Sequence, residues 1–336
     1  MGPKKKSEGS KKDPVDDSVE KLYRAYRKNL AEFGISMPKK LEEKFVELRD
    51  DKNPGRLIDL VVWEEIGPAG VRAIADSLRD VKYQNLKCIR FWKANTEDEG
   101  VRAICQFIML CPTVTTLEFM ECNITPLSCE FISGLLSPVT TIPILTLKLD
   151  HNNIGNEGMV NLSRGLCMNS ILNTLSLTYC GIDEEGARPL MEILIYQNSA
   201  LKVLDLQGNV LRNPGVCTIL HGLQVNKSLT ELNLTDNQFG EDEAVLGKIH
   251  DMLANNETLQ ILDFRYNGFY DSGARAICEM FKSNPQEKLN STLQQLILPQ
   301  NKVSKEVLAE LASILNSNKG RGKKGKKGKK GKKGKK

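Results

Sequence analysis

Cysteine, histidine and lysine are the residue types on which any chemistry of this chain would rest. The nine cysteines could build disulfides, a zinc site or a nucleophile. They stand at Cys88, Cys105, Cys111, Cys122, Cys129, Cys167, Cys180, Cys217 and Cys278. Their number is odd and no Cys-x-x-Cys pair occurs, so the expectation is buried thiols in a reducing compartment. The three histidines, His151, His221 and His250, fall at unrelated places. Cys/His ligand spacing is missing, and so are the HExxH, GxSxG and GxxxxGK[ST] patterns. The sequence therefore predicts no enzyme, no metal and no cofactor.

Lysine is different, because it is segregated. Residues 319–336 read KGRGKKGKKGKKGKKGKK, with 11 Lys and one Arg. Glycine at every third place and no apolar side chain predict a disordered segment. Such a charge run seeks a polyanion, reading charge and no sequence. Lys323, Lys324, Lys326, Lys327, Lys329, Lys330, Lys332 and Lys333 are its expected contact residues, and an acidic polymer such as the tubulin tails or RNA is the expected partner. Residues 1–15 form a second basic tail, also expected to be disordered. Between the tails, residues 13–318 hold 30 cations against 41 anions, so the net +5 of the whole chain conceals an acidic body. The N-terminus has no apolar leader core, and no stretch approaches the ~18 apolar residues that cross a bilayer. Cytoplasm or nucleus is the expected compartment.

The elements between the tails follow from a repeat. The phrase L-x-x-L-x-L-x-x-(N/C)-x-(I/L) recurs, for example at Leu172, Leu175, Leu177, Cys180 and Ile182, and at Leu201, Leu204, Leu206, Asn209 and Leu211. Nine units begin at residues 57, 86, 114, 144, 172, 201, 229, 259 and 293, a period of 28–34 residues. Positions 1, 4 and 6 of each unit alternate as on a strand with one face inward. The Asn or Cys at position 9 is placed to bond backbone groups where the chain turns. Position 15 is often glycine (Gly100, Gly158, Gly186, Gly215, Gly273), which predicts a tight turn into a helix. Apolar residues at positions 19 and 23, such as Leu190 and Leu194, mark one face of that helix. One strand and one helix cannot bury a core alone, so the units must stack. Extra residues fall near Ser137, within Glu241–Leu246 and around Lys282–Asn290, where loops are expected.

This pattern resembles the ribonuclease-inhibitor type of leucine-rich repeat over about residues 57–317. The resemblance implies an α/β solenoid, a horseshoe with parallel strands on its concave face and helices on its convex face. Residues 57–318 form the repeats. Residues 16–56 form an N-terminal helical cap, with the stripe Val19, Leu22, Tyr23, Tyr26, Leu30 and Phe33 in a first helix and Leu41, Phe45 and Leu48 in a second. Relatives of this type include ribonuclease inhibitor, GTPase activators, sensor regions of immune receptors, actin-capping proteins and proteins of flagellar axonemes.

Function then falls to the concave surface, where positions 5, 7 and 8 face outward. Trp92, Met120, Tyr179, Asp205, Asp236, Asp263, Arg265 and Tyr266 are the expected protein-binding residues, since aromatic and arginine side chains dominate interface hot spots. The first strands read as basic through Lys87, Arg90 and Lys93, the later ones as acidic. The expectation is a non-catalytic scaffold within a larger complex. A cytoskeletal assembly, the axoneme of a cilium or flagellum, comes first, because a polybasic tail suits the acidic microtubule surface. A nuclear or nucleolar RNA-associated adaptor is the alternative, and a regulator of a GTPase or nuclease the third reading.

Overall fold

A computed structural model describes residues 17–50, 55–282 and 290–328, with side chains as far as Asn316. Two helices come first, α1 (Ser18–Glu32) and α2 (Lys39–Leu48). Nine strands follow: β1 (Asp59–Val62), β2 (Cys88–Trp92), β3 (Thr116–Met120), β4 (Thr146–Lys148), β5 (Thr174–Ser176), β6 (Val203–Asp205), β7 (Glu231–Asn233), β8 (Ile261–Asp263) and β9 (Gln295–Ile297). Each is followed by one helix: α3 (Gly67–Asp80), α4 (Glu97–Leu110), α5 (Pro126–Leu136), α6 (Gly155–Leu166), α7 (Ala187–Leu194), α8 (Arg212–Leu223), α9 (Glu243–Asn255), α10 (Asp271–Met280) and α11 (Lys305–Gly328).

The strands form one parallel sheet in chain order, β1 to β9. Parallel neighbours need a crossover, and the helix of each unit supplies it. Register follows the repeat. Position 4 pairs with position 4 through every strand, from Leu60 with Ile89 to Leu262 with Leu296. Positions 1 and 6 are buried throughout, as in Leu201 (3% exposed) and Leu206 (0%). The concave face is this sheet, and the helices cover its convex side.

The N-terminal helices close the first unit. Val19, Leu22, Tyr26 and Leu30 of α1 and Leu41 and Phe45 of α2 are buried. Asn29 Nδ2 donates to Ser77 Oγ of α3 at 2.9 Å. The Glu64 carboxylate, just after β1, accepts the amides of Lys39 (3.1 Å) and Lys40 (2.9 Å) and so caps α2 from the repeat side. Phe33 is the member of the expected stripe that stays exposed.

Two expectations are corrected. The position-15 glycines are not at left-handed turns. They lie against the preceding unit: a Cβ on Gly215 would stand 3.1 Å from Glu184 Cα and 3.5 Å from Ala187 Cβ, and one on Gly158 3.2 Å from Cys129 Sγ of α5. Packing between units, not backbone conformation, selects glycine there. The second correction concerns the C-terminal segment, where disorder from 319 was expected. Helix α11 continues to Gly328. Its first turns are anchored by buried Val307, Leu311 and Leu315. Once a helix is nucleated, each added residue gains a backbone bond, and lysine is a good helix former even where glycine costs about 1 kcal/mol. Lys323, Lys324, Lys326 and Lys327 thus have helical backbone. Lys329, Lys330, Lys332 and Lys333, and the basic tail 1–15, lie outside the described residues.

Candidate interaction surface

The concave face is held rigid from beneath by side-chain amides. Asn209 Oδ1 accepts from Cys180 N (3.1 Å) and Ile182 N (3.0 Å), and its Nδ2 donates to Leu177 O and Leu206 O, both at 2.8 Å. Asn152, Asn267 and Asn301 repeat this at their own position 9. Cys122 and Cys180 replace it with a weaker Sγ bond to Phe91 O (3.4 Å) and Leu149 O (3.3 Å). The expected role of position 9 is therefore met. A second ladder, not anticipated, stands three residues before four of the units. Asn169, Asn226, Asn256 and Asn290 each donate to a carbonyl of the preceding unit and accept the amides two and three residues ahead. The recurrent Asn at that spacing was the available signal.

Where β2 to β9 end, position 8 takes a left-handed backbone. Lys93, Glu121, His151, Tyr179, Asp236, Tyr266 and Gln300 have φ between 53° and 61°, except Tyr179 at 52°. Gly208 does the same at 70°. This turns the amide toward the next unit: His151 N donates to Thr178 O (2.8 Å), and Tyr179 N to Gln207 O (2.8 Å). The conformation costs roughly 1–2 kcal/mol for a residue with a bulky side chain. The side chain at this position is lifted onto the rim.

The surface itself has three regions. At the N-terminal end, Trp63 and Trp92 (55% and 44% exposed) meet edge to face with centroids 5.8 Å apart. Lys40 Nζ lies 5.0 Å from the Trp63 ring centre. Met120, half-buried, sits in register beside Trp92 on the next strand. Trp63 was missed because the first unit is degenerate, yet it occupies position 7 of that unit as Trp92 does of the next. These two are the only tryptophans of the chain.

Arg90 and Lys93 of the basic patch expected beside them face carboxylates. Arg90, Glu118 and Lys148 stand in register on β2, β3 and β4. The Glu118 carboxylate lies 3.4 Å from Arg90 Nε and 3.9 Å from Lys148 Nζ, while Lys93 pairs with Glu121 at 3.3 Å.

The third region corrects the reading of the acidic residues. Asp205 Oδ1 accepts Gln207 N (3.1 Å), and Asp263 Oδ1 accepts Arg265 N (3.0 Å). Asn233 makes the same bond to Thr235 N on the strand between them. Asp263 is buried and its carboxylate is also held by Arg265 Nη2 at 2.7 Å. Asp150, likewise buried, accepts Ser176 Oγ (2.7 Å) and Thr178 N (2.9 Å). Burial pushes the Asp205 carboxyl above its usual range, and the charges of Asp150 and Asp263 add to this. These acids tie strand ends and present little charge outward, whereas Asp236 is exposed. Tyr179 and Tyr266 are exposed on the rim, Tyr179 stacked on His151 at 4.9 Å and lying over Gly208. The eight expected residues are thus not one cluster. Trp92 and Met120 belong to the first strands, and the other six to the later strands. Among the described residues no group of three His, Cys, Asp or Glu side chains is arranged to hold a metal, and no helix is long and apolar enough to cross a membrane.

A leucine-rich repeat family model matches residues 143–163, 169–191, 197–219, 225–242 and 255–278, five of the units defined above by strand register. Over these residues the chain carries leucine-rich repeats, and its single parallel sheet backed by helices is the leucine-rich repeat solenoid fold. Among its relatives, a NACHT, LRR and PYD domains-containing protein 9 of Bos taurus is 29% identical over 211 residues, 62% of this chain and 20% of that one. A ribonuclease inhibitor of Mus musculus is 29% identical over 186 residues, 54% of this chain and 40% of the inhibitor. The repeat region thus spans under half the length of these two relatives. Among solved structures, a leiomodin-1 actin-binding site 2 aligns at 17% identity over 61% of this chain and 95% of that one, with a TM-score of 0.37. The side chains of the concave surface sort into supports and presented groups.

Proposed function

We propose that this leucine-rich repeat protein is a non-catalytic adaptor of a cytoskeletal assembly, the axoneme of a cilium or flagellum. In this reading the concave face docks a protein while the lysine-rich segment 319–336 grips the acidic tubulin tails of a microtubule. The observation that carries the docking half is the Trp63–Trp92 pair. Two large apolar rings exposed side by side at equivalent places of adjacent strands, with a cation over one of them, have the composition of a hot spot. The charge segregation supports the second half, since the cations of the C-terminal segment lie outside an acidic body.

Proximity labelling from the full chain in its own cells, wild type against Trp92→Ser, tests the docking half. The leading neighbours should fall at least tenfold in the variant, and an unchanged set removes the concave face from the reading. Microtubule co-sedimentation of the full chain against a variant with the tail lysines changed to glutamine tests the other half. Equal pelleting sinks the tail's role. Retention in nucleoli that RNase abolishes would replace the microtubule by RNA.

A further inference from the structure

A groove of about 600 Å³ runs along the rim at the C-terminal ends of β6 to β9, away from the tryptophan pair. Four successive units contribute to it: Arg212 after β6, Gly240 after β7, Tyr266, Gly268 and Tyr270 after β8, and Lys302 after β9. Its floor is glycine. Gly240 and Gly268 form a parallel bridge, and Gly268 N donates to Phe239 O at 2.6 Å. A Cβ on Gly268 would stand 3.2 Å from that carbonyl and 3.3 Å from Gly240 Cα. A side chain at either glycine would press on this backbone.

The walls are aromatic and the ends cationic. Tyr266 and Tyr270 are 57% and 46% exposed. Lys302 Nζ lies 5.0 Å from the Tyr270 ring centre and donates to its hydroxyl at 3.0 Å. One bond uses one of the three ammonium hydrogens. Arg212 reaches Glu184 at 3.3 Å with its side chain more than half exposed. Three of the neighbouring carboxylates accept hydrogen bonds from within the fold. Glu241 accepts the amides of Tyr270 and Gly273, Asp242 accepts Val245 N and Asn213 Nδ2, and Asp271 accepts Ser304 N. Tyr266 also holds φ at 53°, a conformation that asparagine or glycine would adopt with less strain.

We propose that this groove binds an acidic polypeptide segment carrying one planar apolar side chain. The planar group seats on the Gly240–Gly268 floor between Tyr266 and Tyr270, and flanking carboxylates meet Arg212 and Lys302. Three strand intervals of about 4.8 Å separate the contributing units, so an extended segment of roughly four or five residues spans the groove. The groove is shallow and open, which suits a chain passing through it. The proposal stands independently of the concave docking face.

The test is fluorescence anisotropy with the full chain and two labelled peptides, Glu-Glu-Phe-Glu-Glu and Glu-Glu-Ala-Glu-Glu. The lysine-rich segment reads charge alone and binds both alike, so the ratio between them isolates the groove. Wild type should prefer the phenylalanine peptide roughly tenfold. Tyr266→Asn should bring the ratio to about one while the melting temperature holds or rises, because asparagine suits the left-handed backbone. Lys302→Met should weaken both peptides together, roughly threefold. Equal binding of the two peptides by wild type overturns the proposal. So does a preference that survives Tyr266→Asn, or affinities unmoved by Lys302→Met.

Discussion

Replacing Asn209 by alanine should loosen the solenoid in the middle of its repeats. Asn209 is 1% exposed, and its amide bridges two units through four bonds of 3.1 Å or less. Alanine removes the acceptor of Cys180 N and Ile182 N and the side-chain donor to Leu177 O. Leu206 O keeps a donor, because Asn237 Nδ2 reaches it at 2.9 Å. Three buried polar groups are then orphaned, at about 1–3 kcal/mol each. The lower end of that range, about 3 kcal/mol, already corresponds to more than a hundredfold in the local opening equilibrium. Hydrogen exchange read at the Cys180 and Ile182 amides should accelerate by at least that factor, and the denaturation midpoint should fall. Asn209→Cys should cost less, from about 2 kcal/mol for the two amides still orphaned, since a thiol can donate to Leu177 O as Cys180 Sγ does to Leu149 O. Exchange within threefold of wild type in Asn209→Ala would refute the claim that side-chain amides hold the units together.

Asp205→Asn should raise stability at neutral pH. Burial raises the folded-state pKa of this carboxyl, so the folded protein binds its proton more tightly than the unfolded chain does. Ionisation then destabilises as pH climbs from the unfolded pKa through the folded one. Asparagine keeps the bond to Gln207 N, as Asn233 does to Thr235 N. Urea midpoints should show the variant ahead at pH 7 and the gap closing toward pH 4. Thiol labelling of the native protein near pH 8 should reach half-buried Cys88, Cys167 and Cys217 and spare the rest. Burial pushes the Cys129 thiol up to about 12, and raises Cys105 and Cys180 as well. All nine should react in denaturant, as counted by mass. Gly208→Ala should cost about 1–2 kcal/mol, through its φ of 70° and the Tyr179 ring, which lies 2.2 Å from the added Cβ. Loss of near-ultraviolet circular dichroism from the displaced tyrosine would accompany it.

The leucine spacing by itself determined the nine units, their strand register and the inward face, because a constant period forces equivalent residues of neighbouring units to meet. Asn or Cys at position 9 was legible for the same reason: a turn repeated at one place needs one kind of hydrogen-bonding partner. The helical cap was legible in its apolar stripe. Other features depend on neighbours that no single unit contains. The position-15 glycines answer to the preceding unit, as Gly215 does to Glu184 Cα and Ala187 Cβ. The acids Asp150, Asp205 and Asp263 look like a charged surface in sequence, yet the fold turns each carboxylate onto backbone amides or hydroxyls. Arg90 and Lys93 look like a basic patch until register sets Glu118 and Glu121 beside them. Helix α11 runs past the expected end of order because its packed first turns carry the nucleation cost. The sequence could place side chains on a face, since the repeat is local arithmetic. Only the stacked solenoid decided which of them are supports and which, like Trp63, Trp92 and Tyr266, are left for a partner.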